Sequence, residues 1–406
     1  MHRVSRDRGR TDHRGIDADI ATGGVRPPPR RRVRTRSPRI RSPPRAAACP
    51  CDDRQVDIVA FIVGVACLAL VAWDVFEGIV VPRPTPGRFR IARHITRLSW
   101  RIWRRLATRP ADPHTRDRLL GLFAPALVVA LLLCWLLVLI VGYGLVFWAL
   151  RSELHPVPGS LADTLFLAGA DVLTLGSADV LAGGGAARLV TLVAAGSGLG
   201  VVALVITFLF SLFGSFQRRE ILVVRLQARA GAPPSAVALL ETYARLRITD
   251  QLAAFFAEWE SWSAEVLDSH IAYPTLAYFR SSHDDISWIS ALGAVLDTAA
   301  LVLTTIRDVP RAQAELTKRV GAHFVEDISN FFGLVLDGSG VERSEFEEVH
   351  ERLSAAGYDV EPVDVAWTAF ERARATYATR LEALAEYWAV PAAAWIAGHE
   401  RPKFRH

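Results

Sequence analysis

Lysine is almost missing from this chain. Lys318 and Lys403 are the only two, and Met1 is the only methionine, so arginine carries nearly all of the positive charge. Only four cysteines are present. Cys67 and Cys134 fall inside apolar runs and read as small hydrophobes. Cys49 and Cys51 form a C-P-C in a polar stretch, where two thiols are too few for a closed zinc site and suggest no disulfide framework. Alternating strand patterns are also missing. No G-x-G-x-x-G follows a strand, so a nucleotide-binding Rossmann domain is not expected. Neither a nucleophile–base pair nor an anion-binding loop stands out, which argues against an enzyme. No internal repeat is visible.

Apolar residues are plentiful, at 51% of the 406, and they are concentrated. Three blocks look membrane-like, while the second half reads as a helical soluble protein. Charge is divided in the same way. Residues 1–55 hold 15 Arg against 6 acids, residues 83–118 hold 11 Arg against 2, and residues 217–406 hold 19 basic against 27 acidic side chains. The formal net charge of +5 therefore says little about nucleic acid. Basic charge beside membrane segments points instead to anionic inner-leaflet lipid. No aromatic residue interleaves the arginines of 1–55, which speaks against a nucleic-acid arm.

The expected order is as follows. Residues 1–55, rich in Arg and Pro, lack apolar periodicity and are expected to be disordered. Residues 56–82 form a first hydrophobic segment. Its uncharged part, 58–73, falls a little short of the ~20 residues a bilayer needs, so Asp74 and Glu77 should face protein or the water interface. Residues 83–118 include an amphipathic stretch with Ile91, Ile95, Leu98, Ile102 and Leu106 at helical spacing. Trp100 and Trp103 lie nearby and arginines fill most other positions, a pattern suited to an anionic membrane surface. Residues 119–150 carry no charge and make the strongest span. Residues 189–216 make the last.

Between these two spans lies SLADTLFLAGADVLTLGSAD, residues 160–179. Ser160 and Asp163 form an S-x-x-D pair suited to starting a helix, and a Gly-containing stretch, Thr174 to Asp179, follows. A short helix and an extended strand between two spans is tolerated at membrane depth only where protein or water surrounds it. The stretch resembles the pore loop of the potassium channel superfamily, whose filter reads T-V-G-Y-G-D. Thr174, Leu175, Gly176 and Asp179 match its threonine, valine, first glycine and aspartate. Ser177 and Ala178 depart from its tyrosine and second glycine, which bears on potassium selectivity more than on architecture. A left-handed conformation would cost Ala178 about 1–2 kcal/mol.

The resemblance covers roughly residues 87–216. It implies an all-α membrane protein with the pore-loop channel fold: outer helix 119–150, pore helix and filter 160–179, and inner helix 189–216. To these are added the first hydrophobic segment and a cytoplasmic helical domain, 217–406. It further implies a homotetramer, because four loops complete one filter, with K+ or another monovalent cation as the permeant ion and no cofactor. Residues 83–118 would contain the interfacial helix that precedes the outer helix in two-span channels. Gly198 and Gly200 would be gating hinges, though glycines there also suit close helix packing. Thr207, Ser211 and Ser215, one every fourth residue, would line a watery cavity or join helices.

Charge gives the orientation. The arginines of 83–118 and 218–219 belong in the cytoplasm, and residues 151–188 belong outside. An odd number of spans then puts the arginine-rich residues 1–55 outside as well. Two resolutions exist: the first segment is re-entrant, or the tail is not part of the natural product, Val56 being a candidate start.

Residues 217–406 read as helices 234–247, 250–269, 286–306, 311–335, 342–356 and 363–390, punctuated by Pro and Gly. His270, His283 and Asp284, bracketing 270–285, could meet around a divalent metal; helix capping by Asp284 or Asp285 is the plainer reading. His323, Glu326 and Asp327 share a helix face that reads as solvated. Asp297, inside an apolar helix, should be buried and partnered, or else a sensor. The expected function is a multi-pass cell-membrane cation channel, conducting K+ or weakly selective, whose helical domain takes an unidentified ligand or holds the tetramer together. The alternative is a non-conducting scaffold or sensor with a degenerate pore loop.

Overall fold

The computed structural model describes residues 50–80, 91–110, 112–176, 179–281, 285–334 and 340–391. Residues 1–49, Ser177, Ala178, His283 and Asp284 lie outside them, as do the expectations attached to those positions. Among the described residues the chain is helical, with one two-stranded ribbon. Three helical stretches are long and apolar enough to cross a membrane: Arg54–Gly78, Pro113–Ala149 and Gly185–Ala230.

Helix α1 (Pro50–Val75) continues into a π-helical turn, Phe76–Val80. It packs antiparallel on α4 (Phe123–Ala149). The two backbones touch where Gly64 faces Gly142: a Cβ on Gly64 would lie 2.7 Å from the Gly142 carbonyl oxygen. Small residues permit such approach, which is how helices gain packing energy where lipid is the competing partner. Polar bonds fix both ends of the contact. Arg151, just past α4, pairs with Asp57. The Trp135 indole donates to Asp74 Oδ2 at 2.8 Å, so Asp74 faces protein.

Helix α2 (Ile91–Ala107) and α3 (Pro113–Gly121) precede α4. Trp100 of α2 is buried, with its ring against Phe123 and Tyr278 and its N–H on the Tyr387 carbonyl. On another face Leu98, Ile102 and Leu106 lie open beside exposed Arg101 and Arg105.

After α4 the chain forms β1 (Leu154–His155), α5 (Leu161–Val172) and β2 (Leu181–Ala182), then α6 (Gly185–Ala230). Strands β1 and β2 pair antiparallel. Helix α6 runs unbroken for 46 residues, about 69 Å at 1.5 Å per residue. That is roughly twice the thickness of a bilayer core, and its last part packs into the helical domain.

That domain contains α7 (Ala236–Leu246), α8 (Leu252–Ala272), α9 (Trp288–Thr304), α10 (Ala312–Phe332), α11 (Arg343–Ala355), α12 (Val363–Ala375) and α13 (Ala378–Trp388). Helix α9 is its axis: every residue from Trp288 to Val302 is buried. It is apolar on all sides because α6, α7, α8, α10, α12 and α13 surround it. The stretch expected as one helix over 363–390 breaks at Thr376–Tyr377 into α12 and α13. There Tyr377 turns inward and its hydroxyl donates to Asp297 Oδ1 at 2.6 Å, alongside Arg374 Nε at 3.2 Å. Asp297 is thus buried and partnered. The His323 face is solvated as expected, with an exposed His323–Asp327 pair.

Candidate functional site: the short helix between the last two apolar helices

Helix α5 begins as its sequence dictates. Ser160 Oγ accepts from the Asp163 N–H, and the Asp163 carboxylate accepts from the Ser160 N–H, a complete capping box. From there α5 runs back down the side of α4. Leu165 sits against Gly144, and a Cβ on Gly169 would lie within 4 Å of Ile140. At its far end the Val172 carbonyl presses on Gly198 of α6. Gly198 lies 13 residues beyond Gly185, so Val172 is about 20 Å below the β1–β2 ribbon. The chain returns to that ribbon in eight residues, 173–180.

The turn at the bottom is specific. The Leu175 N–H donates to the Ala170 carbonyl and the Thr174 N–H to the Asp171 carbonyl, at 2.8 and 3.0 Å. This is a Schellman cap with Thr174 in the left-handed position, at φ 56°. Gly or Asn usually fills that position, and a β-branched residue there is an outlier. Gly176 also has positive φ, at 77°, while Leu175 between them does not. Thr174, Leu175 and Gly176 are all exposed, as is Asp179.

Two residues that sequence reading passed over complete the site. Asp171 is buried one turn before Thr174, and its Oδ2 has no hydrogen-bond partner among the described residues. An acid inside an apolar helix was the available signal, the same one that marked Asp297. Glu153 takes up the free N–H groups at the head of α6: its carboxylate accepts from Ala187 and its carbonyl from Gly183 and Gly184. Gly183 and Gly184 allow close contact, since a Cβ on either would run into His155 or Glu153.

On α6 the expected features separate. Gly198 is a packing contact, because a Cβ would overlap the Val172 oxygen, whereas Gly200 has open space around it. Thr207 and Ser211 are exposed, and each hydroxyl donates to its own helix, to the Ala203 and Thr207 carbonyls. Both oxygens remain as acceptors. Ser215 turns away: it is buried and accepts from Arg218 Nη2 at 3.1 Å. Four-residue steps advance 400° around a helix, so such a stripe drifts about 40° each time. By Ser215 it has left the face that holds Thr207.

Beyond the span, Arg219 is buried at 1% exposure. Its guanidinium donates to Glu220 and to the carbonyls of Leu276 and Phe279, with His270 Nε2 at 3.2 Å. His270 Nδ1 faces the Val266 carbonyl at 2.8 Å. Burial first, and then the nearby guanidinium, hold the imidazole pKa down to about 3. With one ring nitrogen against a cation and the other against a carbonyl, His270 is not placed to ligate a metal. No group of three or more His, Cys, Asp or Glu among the described residues is arranged to hold one. No protein-family model matches the chain, and no curated protein or solved structure matches it.

Proposed function

We propose that this chain is one subunit of a homotetrameric cation channel of the pore-loop type, conducting K+ or weakly selective among monovalent cations. One observation carries the reading: an irregular, exposed backbone, 173–176, lies about 20 Å down between apolar helices. In lipid each unsatisfied peptide group there would cost several kcal/mol, so water or further copies of the chain must face it. Four copies around an axis would meet both needs, with rings of carbonyl oxygen from Thr174, Leu175, Gly176 and Ser177 replacing an ion's water.

The rest of the chain fits that arrangement. Helix α5 ends at the filter's inner side, where its negative dipole end favours a cation. The Thr207 and Ser211 oxygens would line the cavity below. Asp179 would concentrate cations at the outer mouth. The Arg151–Asp57 end lies outside and the helical domain in the cytoplasm, with α2 laid on anionic lipid through Leu98, Ile102 and Leu106. The protein is then a multi-pass protein of the cell membrane.

A second reading, a non-conducting scaffold, draws on the Schellman cap, which accounts for the Thr174 conformation as an ordinary helix ending. Purified protein in liposomes with opposed K+ and Na+ gradients separates the two. A current reversing toward the K+ potential supports a selective channel, and reversal near zero supports a weakly selective one. No current from a verified tetramer favours the scaffold.

A further inference from the structure

The segment that follows α8, residues 273–281, holds one 3-10 turn, Pro274–Tyr278, and is buried at its centre. Leu276, Ala277, Tyr278 and Phe279 are all in the core, although connecting segments normally stay at the surface because their backbone polar groups need water. Two of its carbonyls, Leu276 and Phe279, are instead satisfied by the Arg219 guanidinium from α6. The return bond comes from α8, where the Trp262 indole donates to the Arg219 carbonyl at 3.0 Å. Aromatic contacts add to the grip on α6, with Phe208 against Tyr273 and Phe213 and Phe216 against Phe279.

The same few residues reach the other membrane-side helices. Tyr278 packs on Trp100 of α2 and Phe123 of α4, with ring centroids 5.3 Å apart in each case. Arg280 pairs with Asp117 of α3 and donates to the carbonyls of Trp388 and Ala389 at the end of α13. Burying an arginine is a poor way to add stability, since well-packed apolar side chains often do as well. What the arginine adds is a single register between α6 and this segment.

We propose that residues 273–281 are the transmission through which the helical domain acts on the membrane helices, moving α6 together with α2 and α4. Arg219 is the positioning residue that keys α6 to it. The domain is on this account a regulator of the span helices rather than a tether. The regulatory half of this inference rests on the channel reading; the mechanical half does not.

Hydrogen exchange on the full-length protein in lipid nanodiscs tests it, comparing Arg219→Lys with Val349→Ala. Val349 is buried on α11, which packs on α7 and α12. Arg219→Lys is expected to raise exchange at least tenfold in 273–281, in α2 and in α6 over 205–213 together. Val349→Ala should leave α2 and 205–213 within twofold of wild type. Loosening confined to 273–281 would overturn the proposal and leave Arg219 a local staple. Should Arg219→Lys fail to fold, Phe279→Leu removes ring contacts to α6 only, and α2 must still loosen at least threefold. Cation flux on the same samples adds the second arm. Flux altered tenfold in Arg219→Lys, and unaltered in Val349→Ala, supports regulation, whereas unchanged flux overturns it. Absence of flux in wild type overturns the channel reading and with it the regulatory half, while the exchange result still decides the mechanical half.

Discussion

Gly198 lies so close beneath the Val172 carbonyl that no side chain fits between them. This contact joins the bottom of α5 to the middle of α6, and it makes a substitution at 198 differ sharply from one two residues on. Gly198→Ala should lower stability by about 1–3 kcal/mol through overpacking and push α5 away from α6. Gly200→Ala meets open space and should gain roughly 0.5–1 kcal/mol from reduced chain entropy. Thermal unfolding of the two variants in detergent checks the pair. Equal, mild effects would restore the hinge role first expected of Gly198.

Thr174 presents a trade between stability and function. Its left-handed backbone at φ 56° costs a residue with Cβ about 1–2 kcal/mol, and Gly is the usual occupant of that cap. Thr174→Gly should therefore raise the melting temperature while reducing cation flux, because the carbonyl is kept but glycine frees the backbone that aims it in the proposed filter. A variant both less stable and fully conducting would contradict the assignment.

Much of this was legible in the residues themselves. The capping box of α5 was visible as Ser160–Asp163, and the helices after residue 230 were bounded by Pro and Gly. The helix break at Thr376–Tyr377 was not visible, since neither residue is a breaker and the cause is a contact with Asp297, some 80 residues away. Arg219 read as one more positive charge beside a span. Its burial depends on carbonyls 57 and 60 residues downstream, which no local pattern encodes. The drift of Ser215 off the Thr207 face follows from helix geometry and could have been foreseen.

His270 should make the helical domain sensitive to acid. Its folded pKa, about 3, lies below the ordinary value of 6.5. Between those values the unfolded chain binds a proton that the folded chain does not, so stability rises with pH there. The contribution is complete above 6.5 and falls as the medium becomes more acidic, by about 2 kcal/mol at pH 5. Unfolding of wild type and His270→Gln at pH 7 and pH 5 measures it. The wild type should lose more on acidification than the variant; parallel losses would show that other groups are responsible.

Asp297 holds α9 to α12 and to the start of α13 through Arg374 and Tyr377. Asp297→Ala leaves a buried guanidinium without this partner and should destabilise by about 3–5 kcal/mol. Pairing it with Arg374→Met should recover much of that loss, because an apolar pair can replace a buried ion pair at little penalty. Denaturant unfolding of the single and double variants provides the check, and strict additivity would argue against a coupled pair.

The position of Leu175 bears most directly on whether the chain dips into the bilayer to form a pore. In a background with the native cysteines replaced by alanine, Leu175→Cys in liposomes would be treated with a small cationic thiol reagent added outside. A parallel sample would carry a fluorescent label at the same site with lipid-borne quenchers at graded depth. The account predicts modification from the outer side, slowed by excess K+, together with weak quenching at every depth. Strong quenching by lipid, or modification as fast as at an outer-surface Ser160→Cys and indifferent to K+, would contradict it.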